Sequence, residues 1–371
     1  MTIQPVDSPR QLGRFIEFPY RFYRDRKDPY WVPPLRSDER ARLTPGKNPF
    51  FEHAEAALFL AEEGGRVTGR IAASVDRNYD SLHGERQAAF GFFEAESAPA
   101  AAALLASARS WAREKDADVL RGPLSFTTND ECGLLIEGFD HRPALMMPYN
   151  PPEYAEWIEA AGFQKAKDLY SFRAPIPSEP PPAYARIAAM TRRKENVRTR
   201  AIDMRRFREE LERVKELYNN AWEKNWGFVP MTEREIDHMA AQLKPAIVPD
   251  LVRFAEVDGV PVAFGLLMPD LNIALRKAGG RLFPFGLFQI LWTMPRIREF
   301  RFMALGIRAE WRRTGIAPLL VDELCRVVWR KGYRSCEIGW TLEDNEPVNR
   351  LAIVMGGTRS GVYRIYEREV A

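Results

Sequence analysis

Between residues 312 and 318 the chain reads Arg-Arg-Thr-Gly-Ile-Ala-Pro, and these residue types at this spacing suggest the binding of an anion. The first amides of a helix have no intrahelical partner, and the helix dipole adds positive potential at that end. Gly315 permits a tight turn and a close backbone approach. Arg312 and Arg313 add charge-assisted donors beside Thr314, Ile316 and Ala317. Pro318 fits a first helical turn and no deeper position, which places the helix start here. A pyrophosphate suits such a nest of amides. The same residues also make an ordinary turn carrying solvated arginines.

Other candidates for chemistry are more scattered. Glu343 and Asp344 form an acidic pair downstream, and Glu343 can serve as a base, position a water, or simply be a solvated loop acid. Ser125-Phe-Thr-Thr-Asn-Asp-Glu-Cys132 is polar between apolar stretches; Asn129 and Glu131 are candidates to contact an acceptor, or to cap and turn the chain. Cys132 and His141 lack the elbow and oxyanion motif of a nucleophilic site. The four histidines have no zinc spacing, and the cysteines at 132, 325 and 336 form neither a metal signature nor a disulfide framework. No metal is expected.

The elements that must position these groups follow from periodicity. In the first half, a helix is predicted over 9–24, strands over 54–62 and 66–75 around Gly64-Gly65, a strand over Ala88–Ala95 and an alanine-rich helix over Pro99–Lys115. A strand at Val119–Arg121, a helix at Glu153–Ala161 and a strand at Phe163–Phe172 complete it. The prolines at 175, 177 and 180–182 mark a boundary, followed by a helix and the basic run Arg192–Arg200. In the second half, helices near 205–221 and 232–243 precede strands Leu251–Val257 and Pro261–Met268. Then come strand Phe300–Arg308, helix Ile316–Lys331, strand Ser335–Trp340, helix Pro347–Met355 and strand Gly361–Glu367. Both halves thus run helix, hairpin, strand, helix, strand, helix, strand, which implies an α/β fold with a mixed sheet flanked by helices in each.

A length of 371 residues suits two domains, and 46% hydrophobic residues suffice for packed cores. A net charge of +3 allows a local anion site without the concentrated basic footprint of nucleic-acid binding. Separated cysteines, a start without a signal-peptide pattern and no apolar run long enough to cross a membrane lead to the expectation of a cytoplasmic protein. Arg281–Pro295 is unusually rich in large apolar groups; it can be core, interface or dimer contact, line a channel for a long acyl chain, or touch a membrane surface as a peripheral contact.

With these residues in place, the second half resembles the GNAT superfamily of N-acetyltransferases, whose signature Gln/Arg-x-x-Gly-x-Gly/Ala follows the fourth strand. Arg312-Arg313-Thr314-Gly315-Ile316-Ala317 matches it. The resemblance implies that this turn holds the pyrophosphate of coenzyme A. It also implies that a bulge near Leu305, Gly306 and Ile307 offers an amide to the thioester carbonyl. The pantetheine arm is then expected between Phe302–Arg308 and Ser335–Trp340. Glu343–Asn349 resembles the start of the family's next helix, which implies coenzyme contacts at Asn345 and Asn349. Many members carry a tyrosine where this chain has Ala352, leaving Tyr363 or a bound water as the expected proton donor.

The whole chain resembles bacterial proteins with two such domains in tandem. The expected division is 1–176 as a degenerate first domain, 177–200 as a linker helix with the basic stretch, and 201–371 as the domain with the acyl-CoA site. Glu94 and Glu96 precede the first domain's helix where the second has arginines, and would repel a pyrophosphate. The expected activity is transfer of an acyl group, most simply acetyl from acetyl-CoA or another acyl-CoA, to an amine. The alternatives are a noncatalytic acyl-CoA-binding protein and a transferase joining a long acyl chain to a lipid-like amine. A nucleic-acid-modifying enzyme and a transferase using charged tRNA fit the residues less well.

Overall fold

A computed structural model describes residues 1–223 and 225–370. In chain order it forms β1 (Thr2–Pro5), α1 (Pro9–Asp25), α2 (Arg36–Arg42), β2 (Ala54–Glu63), β3 (Arg66–Asp76), α3 (Arg77–His83) and β4 (Gln87–Ala95). α4 (Ala98–Glu114), β5 (Val119–Gly122), β6 (Leu134–Glu137), α5 (Tyr154–Ala160), β7 (Gln164–Pro175), α6 (Pro182–Arg192) and β8 (Val197–Ala201) follow. Next are α7 (Phe207–Trp222), α8 (Glu233–Leu243), β9 (Val252–Val257), β10 (Val260–Pro269), α9 (Asn272–Ala278) and α10 (Gly286–Thr293). The chain closes with β11 (Glu299–Ile307), α11 (Ile316–Arg330), β12 (Ser335–Leu342), α12 (Glu346–Val354) and β13 (Thr358–Glu369). This is the α/β pattern of mixed sheet and flanking helices read from the sequence.

Two compact units emerge, and they are not sequential blocks. The first comprises Met1–Leu169, Ala274–Ile290 and Gly361–Ala371; the second comprises Tyr170–Ile273 and Leu291–Ser360. The boundary therefore differs from the expected 1–176 and 201–371 because the final strand's outer residues pair in the first unit. The stretch 177–200, expected as a linker, spans all of α6 and the start of β8 and lies within the second unit. Its basic run is half strand: β8 pairs with β9, and Arg200 meets Glu256 and Glu210 at 2.7 and 2.6 Å.

In the first unit, β1, β2, β3 and β4 form an antiparallel succession, β4 and β5 are parallel, and β5 pairs with β13 from Gly122↔Tyr366 to Val119↔Glu369. α1 buries Phe15, Ile16, Phe18, Phe22 and Tyr23 in this unit's core, while α4 contributes Leu104, Leu105 and Ala108. Those residues recur at three- and four-residue intervals, the spacing of one helix face.

In the second unit, β8, β9, β10 and β11 are antiparallel neighbours and β11 runs parallel to β12. α11 buries Leu319, Leu320, Leu324, Val327 and Val328. α6 packs along it through Ala188. α7 packs against β10 and β11 with Leu217 and Trp222 in a separate cluster around Phe254 and Phe264. No described helix is long and apolar enough to cross a membrane.

A carboxyl sits inside the first unit's core. Glu94 is 7% exposed and accepts hydrogen bonds from Tyr23 and Tyr154, each at 3.0 Å. Burial lifts its carboxyl to about 7, against the opposing pull of the Arg70 charge and the two tyrosine bonds. Because the folded value lies above the ordinary one, the folded chain holds this proton more tightly than the unfolded chain. Its stabilising contribution is complete below the unfolded value of 4.5 and is lost as pH rises through about 7. Glu94→Gln, which keeps an uncharged acceptor, should flatten the fall in thermal stability across that window, a difference of a few kcal/mol (order of magnitude). Parallel pH profiles of unfolding for the two proteins would show an unchanged slope if Glu94 were not the group.

Candidate active site

One irregularity sets the geometry of the second unit. β10 and β11 pair Leu266↔Ala304 and Leu267↔Phe302, so Met303 is an extra residue in β11. Side chains alternate faces along a strand, and one extra residue inverts the alternation. Before it, Phe300 and Phe302 lie with Leu324 and Val328 of α11. After it, Leu305 and Ile307 join the cluster under α11, while Ala304 lies in the cluster with α7. Gly306 is confined on that second face, where an added Cβ would stand 2.4 Å from Phe264.

The parallel partner is lost at the same place. β11 and β12 pair from Glu299↔Ser335 to Phe302↔Ile338 and no farther, although β11 continues to Ile307 and β12 to Leu342. Leu305, Gly306 and Ile307 therefore pair with β10 but lie on the reach without a β12 partner, and the irregularity sits at Met303, two residues earlier than the sequence suggested. Phe302 and Ile338, the last paired residues, also line a small apolar cavity of about 40 Å³ with Leu324, Leu351 and Met355.

Beyond β11 the chain turns through Arg312–Gly315 into α11. Gly315 has φ +90°, a conformation favourable to glycine, and its carbonyl accepts the first helical bond from Leu319 at 3.1 Å. No side chain caps this helix, its first turn holds no acid, and Pro318 has no amide hydrogen. The start thus leaves the Ile316 and Ala317 amides without a side-chain cap. Arg312 donates to the backbone carbonyls of Ala221 and Ile307 at 3.0 and 3.4 Å, which fixes the turn, while Arg313 is exposed. Thr314 donates its hydroxyl to the Trp311 carbonyl at 2.8 Å.

The corresponding place in the first unit is built differently. Ser97 caps α4, accepting from the Ala100 amide at 3.4 Å. Glu96 stands beside that start, held by Arg21 and Arg66. β4 and β5 also stop pairing early, but the chain after β5 fills the space: Leu124 donates to the Phe90 carbonyl at 2.7 Å, and a Cβ on Gly91 would lie 1.9 Å from the Leu124 oxygen. A cleft of about 890 Å³ in this unit is lined by six arginines, but Arg14, Arg21, Arg36 and Arg66 are paired with Glu62, Glu96, Glu17 and Glu96.

Some expected residues turn out to brace the framework. Asn345 caps α12, accepting from the Val348 amide at 3.4 Å. Asn349 donates to the carbonyls of Leu342 and Glu343 at 3.0 and 3.2 Å and accepts from Thr341 at 2.5 Å, tying β12 to α12. Glu343 is partly buried in the loop between them. Tyr363 is 3% exposed and belongs to the first unit, against Gly133. Asn129 and Glu131 are also there; the Asn129 amide donates to Thr127 at 3.1 Å and Glu131 lies 3.8 Å from Arg42.

A buried carboxylate of the second unit, Glu337, lies outside the candidates that residue spacing suggested. Its carboxylate, 8% exposed on β12, accepts from Ser171 at 2.6 Å and Ser360 at 2.7 Å, and those hydroxyls lie 2.8 Å apart. Arg173 stands 4.0 Å away. Glu337 pairs in register with Arg301, whose guanidinium donates to the Gly339 carbonyl at 2.9 Å. The unit's cysteines are buried, and that burial disfavours the thiolate, pushing the Cys325 thiol up to about 12 and Cys336 well above its ordinary value. The histidines are dispersed, with His53 on Asp76, His141 beside Asp140 and His238 beside Gln242.

No protein-family model matches the chain. It is 34% identical to the bacterial ceramide synthase of Caulobacter vibrioides over 99% of this chain and 97% of that protein. It is 35% identical to the protein YghO of Escherichia coli over 97% of this chain and 93% of that one. The chain belongs to the family of these two proteins. Its fold is the tandem GNAT fold: a tandem GNAT protein from the clavulanic acid biosynthesis pathway superposes with a TM-score of 0.57 over 100% of this chain and 98% of the other, at 15% identity. In this chain the strand irregularity and the uncapped helix start both lie in the second unit.

Gly315 also sets a limit on what the turn tolerates. A Cβ there would stand 2.3 Å from the Thr191 hydroxyl and 3.2 Å from Ile187, on α6. Gly315→Ala should cost about 1–3 kcal/mol from the positive φ and the clash together. Combining it with Thr191→Ala should recover only the clash. A double-mutant cycle by denaturant unfolding measures this, and strict additivity would show that α6 does not press on the turn.

Proposed function

We propose that this protein is an acyl-CoA-dependent N-acyltransferase whose second unit binds the donor and whose acyl chain and amine are lipid-like. The observation that carries the donor assignment is the parting of β11 from β12 at Phe302 and Ile338, followed by the uncapped start of α11. A pantetheine arm can hydrogen-bond to strand edges freed in this way. A pyrophosphate can use the Ile316 and Ala317 amides with Arg313. Arg312, Thr314 and Gly315 shape that turn. The lipid character is supported by the kinship with a ceramide synthase, since a ceramide is the amide of a fatty acid with a long-chain amino alcohol.

The reaction needs no covalent enzyme intermediate. The neutral amine attacks the thioester carbonyl, the C–N bond forms and the C–S bond breaks. The proton leaving nitrogen passes to a carboxylate, and the carboxyl so formed returns it through a water to the thiolate, giving the thiol and restoring the carboxylate. An amide freed at the Met303 irregularity is suited to stabilise the developing oxyanion. Glu337 is the carboxylate we assign as proton acceptor, because two serines orient it beside the last paired residues. Glu343 is the competing choice. Tyr363 takes no part in this reading.

A short-chain donor, such as acetyl-CoA, is the second reading, and the small size of the cavity beside Phe302 and Ile338 favours it. Purified protein should be offered acetyl-CoA and palmitoyl-CoA, each with a short amine and with a long-chain amino alcohol, and the amide measured by mass spectrometry. The expected product comes from the two long-chain partners. Acetyl transfer alone would remove the lipid reading, and coenzyme binding without product from any pair would point to a noncatalytic acyl-CoA-binding protein.

Two variants separate binding from chemistry. Arg313→Glu should weaken coenzyme A binding at least about ten-fold in calorimetry, by replacing the exposed cation beside the Ile316 and Ala317 amides with a carboxylate. Glu337→Gln should leave that binding intact and lower kcat by about 100-fold. Unchanged turnover in Glu337→Gln with a comparable loss in Glu343→Gln would transfer the role to Glu343.

A further inference from the structure

The stretch between β10 and β11 carries a surface that acyl transfer does not explain. Phe283, Phe285, Leu287, Phe288, Leu291 and Trp292 are 77, 69, 43, 66, 59 and 57% exposed. They occupy the turn before α10 and α10 itself, where Leu287, Phe288, Leu291 and Trp292 stand at three- to four-residue spacing and share a helix face. Single exposed apolar side chains are ordinary on a soluble protein, whereas six within ten residues are not.

The charge around them has one sign. From residue 271 to 298 there is no acidic residue, while Arg276, Lys277, Arg281, Arg296 and Arg298 are all present and exposed. The Arg296 guanidinium lies over the Trp292 ring, 4.0 Å from its centre. The exposed side chains are also carried on an ordered base. Arg36 donates to the carbonyls of Gly279 and Gly280, both at 3.2 Å, and Leu287 donates to the Leu282 carbonyl at 2.7 Å. A Cβ on Gly280 would come within 2.5 Å of Tyr20, and one on Gly286 within 1.7 Å of the Arg281 oxygen. The chain is thus pinned at these two glycines while its large apolar groups stay outside.

We propose that residues 276–298 are a membrane-docking surface that inserts Phe283, Phe285, Phe288, Leu291 and Trp292 into the interfacial layer of an anionic bilayer. Aromatic and aliphatic side chains supply the apolar contact, and the flanking cations meet the headgroups. One such signal alone binds a bilayer weakly; the two together bind it firmly. This is attachment from one side and requires no crossing helix. The proposal concerns the location of the protein rather than its chemistry, and it is read without turnover, so its failure and that of the acyl-transfer reading are separate results.

The test is flotation of the full chain with vesicles of phosphatidylcholine alone and of phosphatidylcholine mixed with phosphatidylglycerol. The protein should partition onto the mixed vesicles, and more weakly onto the neutral ones. Replacing Arg281, Arg296 and Arg298 by Gln should reduce partitioning onto mixed vesicles about 100-fold and leave the neutral ones unaffected. Phe283→Ser with Phe285→Ser, which leaves α10 intact, should lose at least about ten-fold on both kinds. Thermal unfolding and coenzyme A calorimetry establish that each variant is folded. Absence of the parent protein from both vesicles overturns the proposal, as does wild-type partitioning by the phenylalanine variant. A concentration-dependent dimer in ultracentrifugation that the same variant abolishes, without vesicle binding by the parent, would instead assign the surface to a second copy of the chain.

Discussion

One extra residue, Met303, governs how the end of β11 is used. Two things must hold along this strand: apolar side chains must face α11 at its start, and they must do so again at its end. A strand without interruption would keep Phe300, Phe302, Ala304 and Gly306 on one face. The irregularity hands the second half of that face to Leu305 and Ile307 instead. The core under α11 is thereby kept continuous, and Ala304 and Gly306, the smallest groups available, are placed where Phe264 and Trp222 crowd in from the other side. The disrupted ladder coincides with the end of pairing to β12. Packing demands and an open strand edge thus have the same cause.

Polar groups near this point are arranged by the same geometry. Arg301 and Glu337 are register partners on adjacent parallel strands, just before the strands separate. Neither could be buried alone at a tolerable cost. The Arg301 guanidinium has the Gly339 carbonyl, and Glu337 has two serine hydroxyls with Arg173 near. The Glu337 carboxylate is held by two hydroxyls, with Arg173 at 4.0 Å, rather than by a close, bidentate guanidinium. That is the physical reason for preferring it to the carboxylates engaged in strong salt bridges, such as Asp322 with Arg192 and Arg326.

How much of this could be read from residues alone depended on whether the signal was local. The stripe Leu319, Leu320, Leu324, Val327 and Val328 announces α11, and Gly315 with Pro318 announces its start, because spacing and backbone preference act within one turn. β8 was hidden by its charge: Arg198 and Arg200 dominate a five-residue strand whose pairing partner lies more than fifty residues away. α9 and α10 were hidden by Gly279, Gly280, Pro284 and Pro295, which punctuate helices too short to show a period. The Glu337 cluster joins residues 171, 337 and 360, and no spacing rule brings these together. Nor does a strand irregularity have a residue signature; Met303 is identified by its neighbour's register and not by its own type.

The two units use one fold with opposite electrostatics at the equivalent helix start. α4 begins with its own serine cap and a carboxylate that two arginines hold in place; α11 begins with neither. A helix end satisfied from within has little left to offer an anion, while an end without cap or acid keeps its amides and dipole available. Likewise, the space where β4 leaves β5 is taken by Leu124 against Phe90 and Gly91, so the first unit closes the opening that the second preserves. Each difference is small in sequence, a serine and a glutamate against a glycine and two arginines. Together they make the start of α11, and not that of α4, the helix end suited to an anion, while the first unit instead holds a buried Glu94 within an aromatic core.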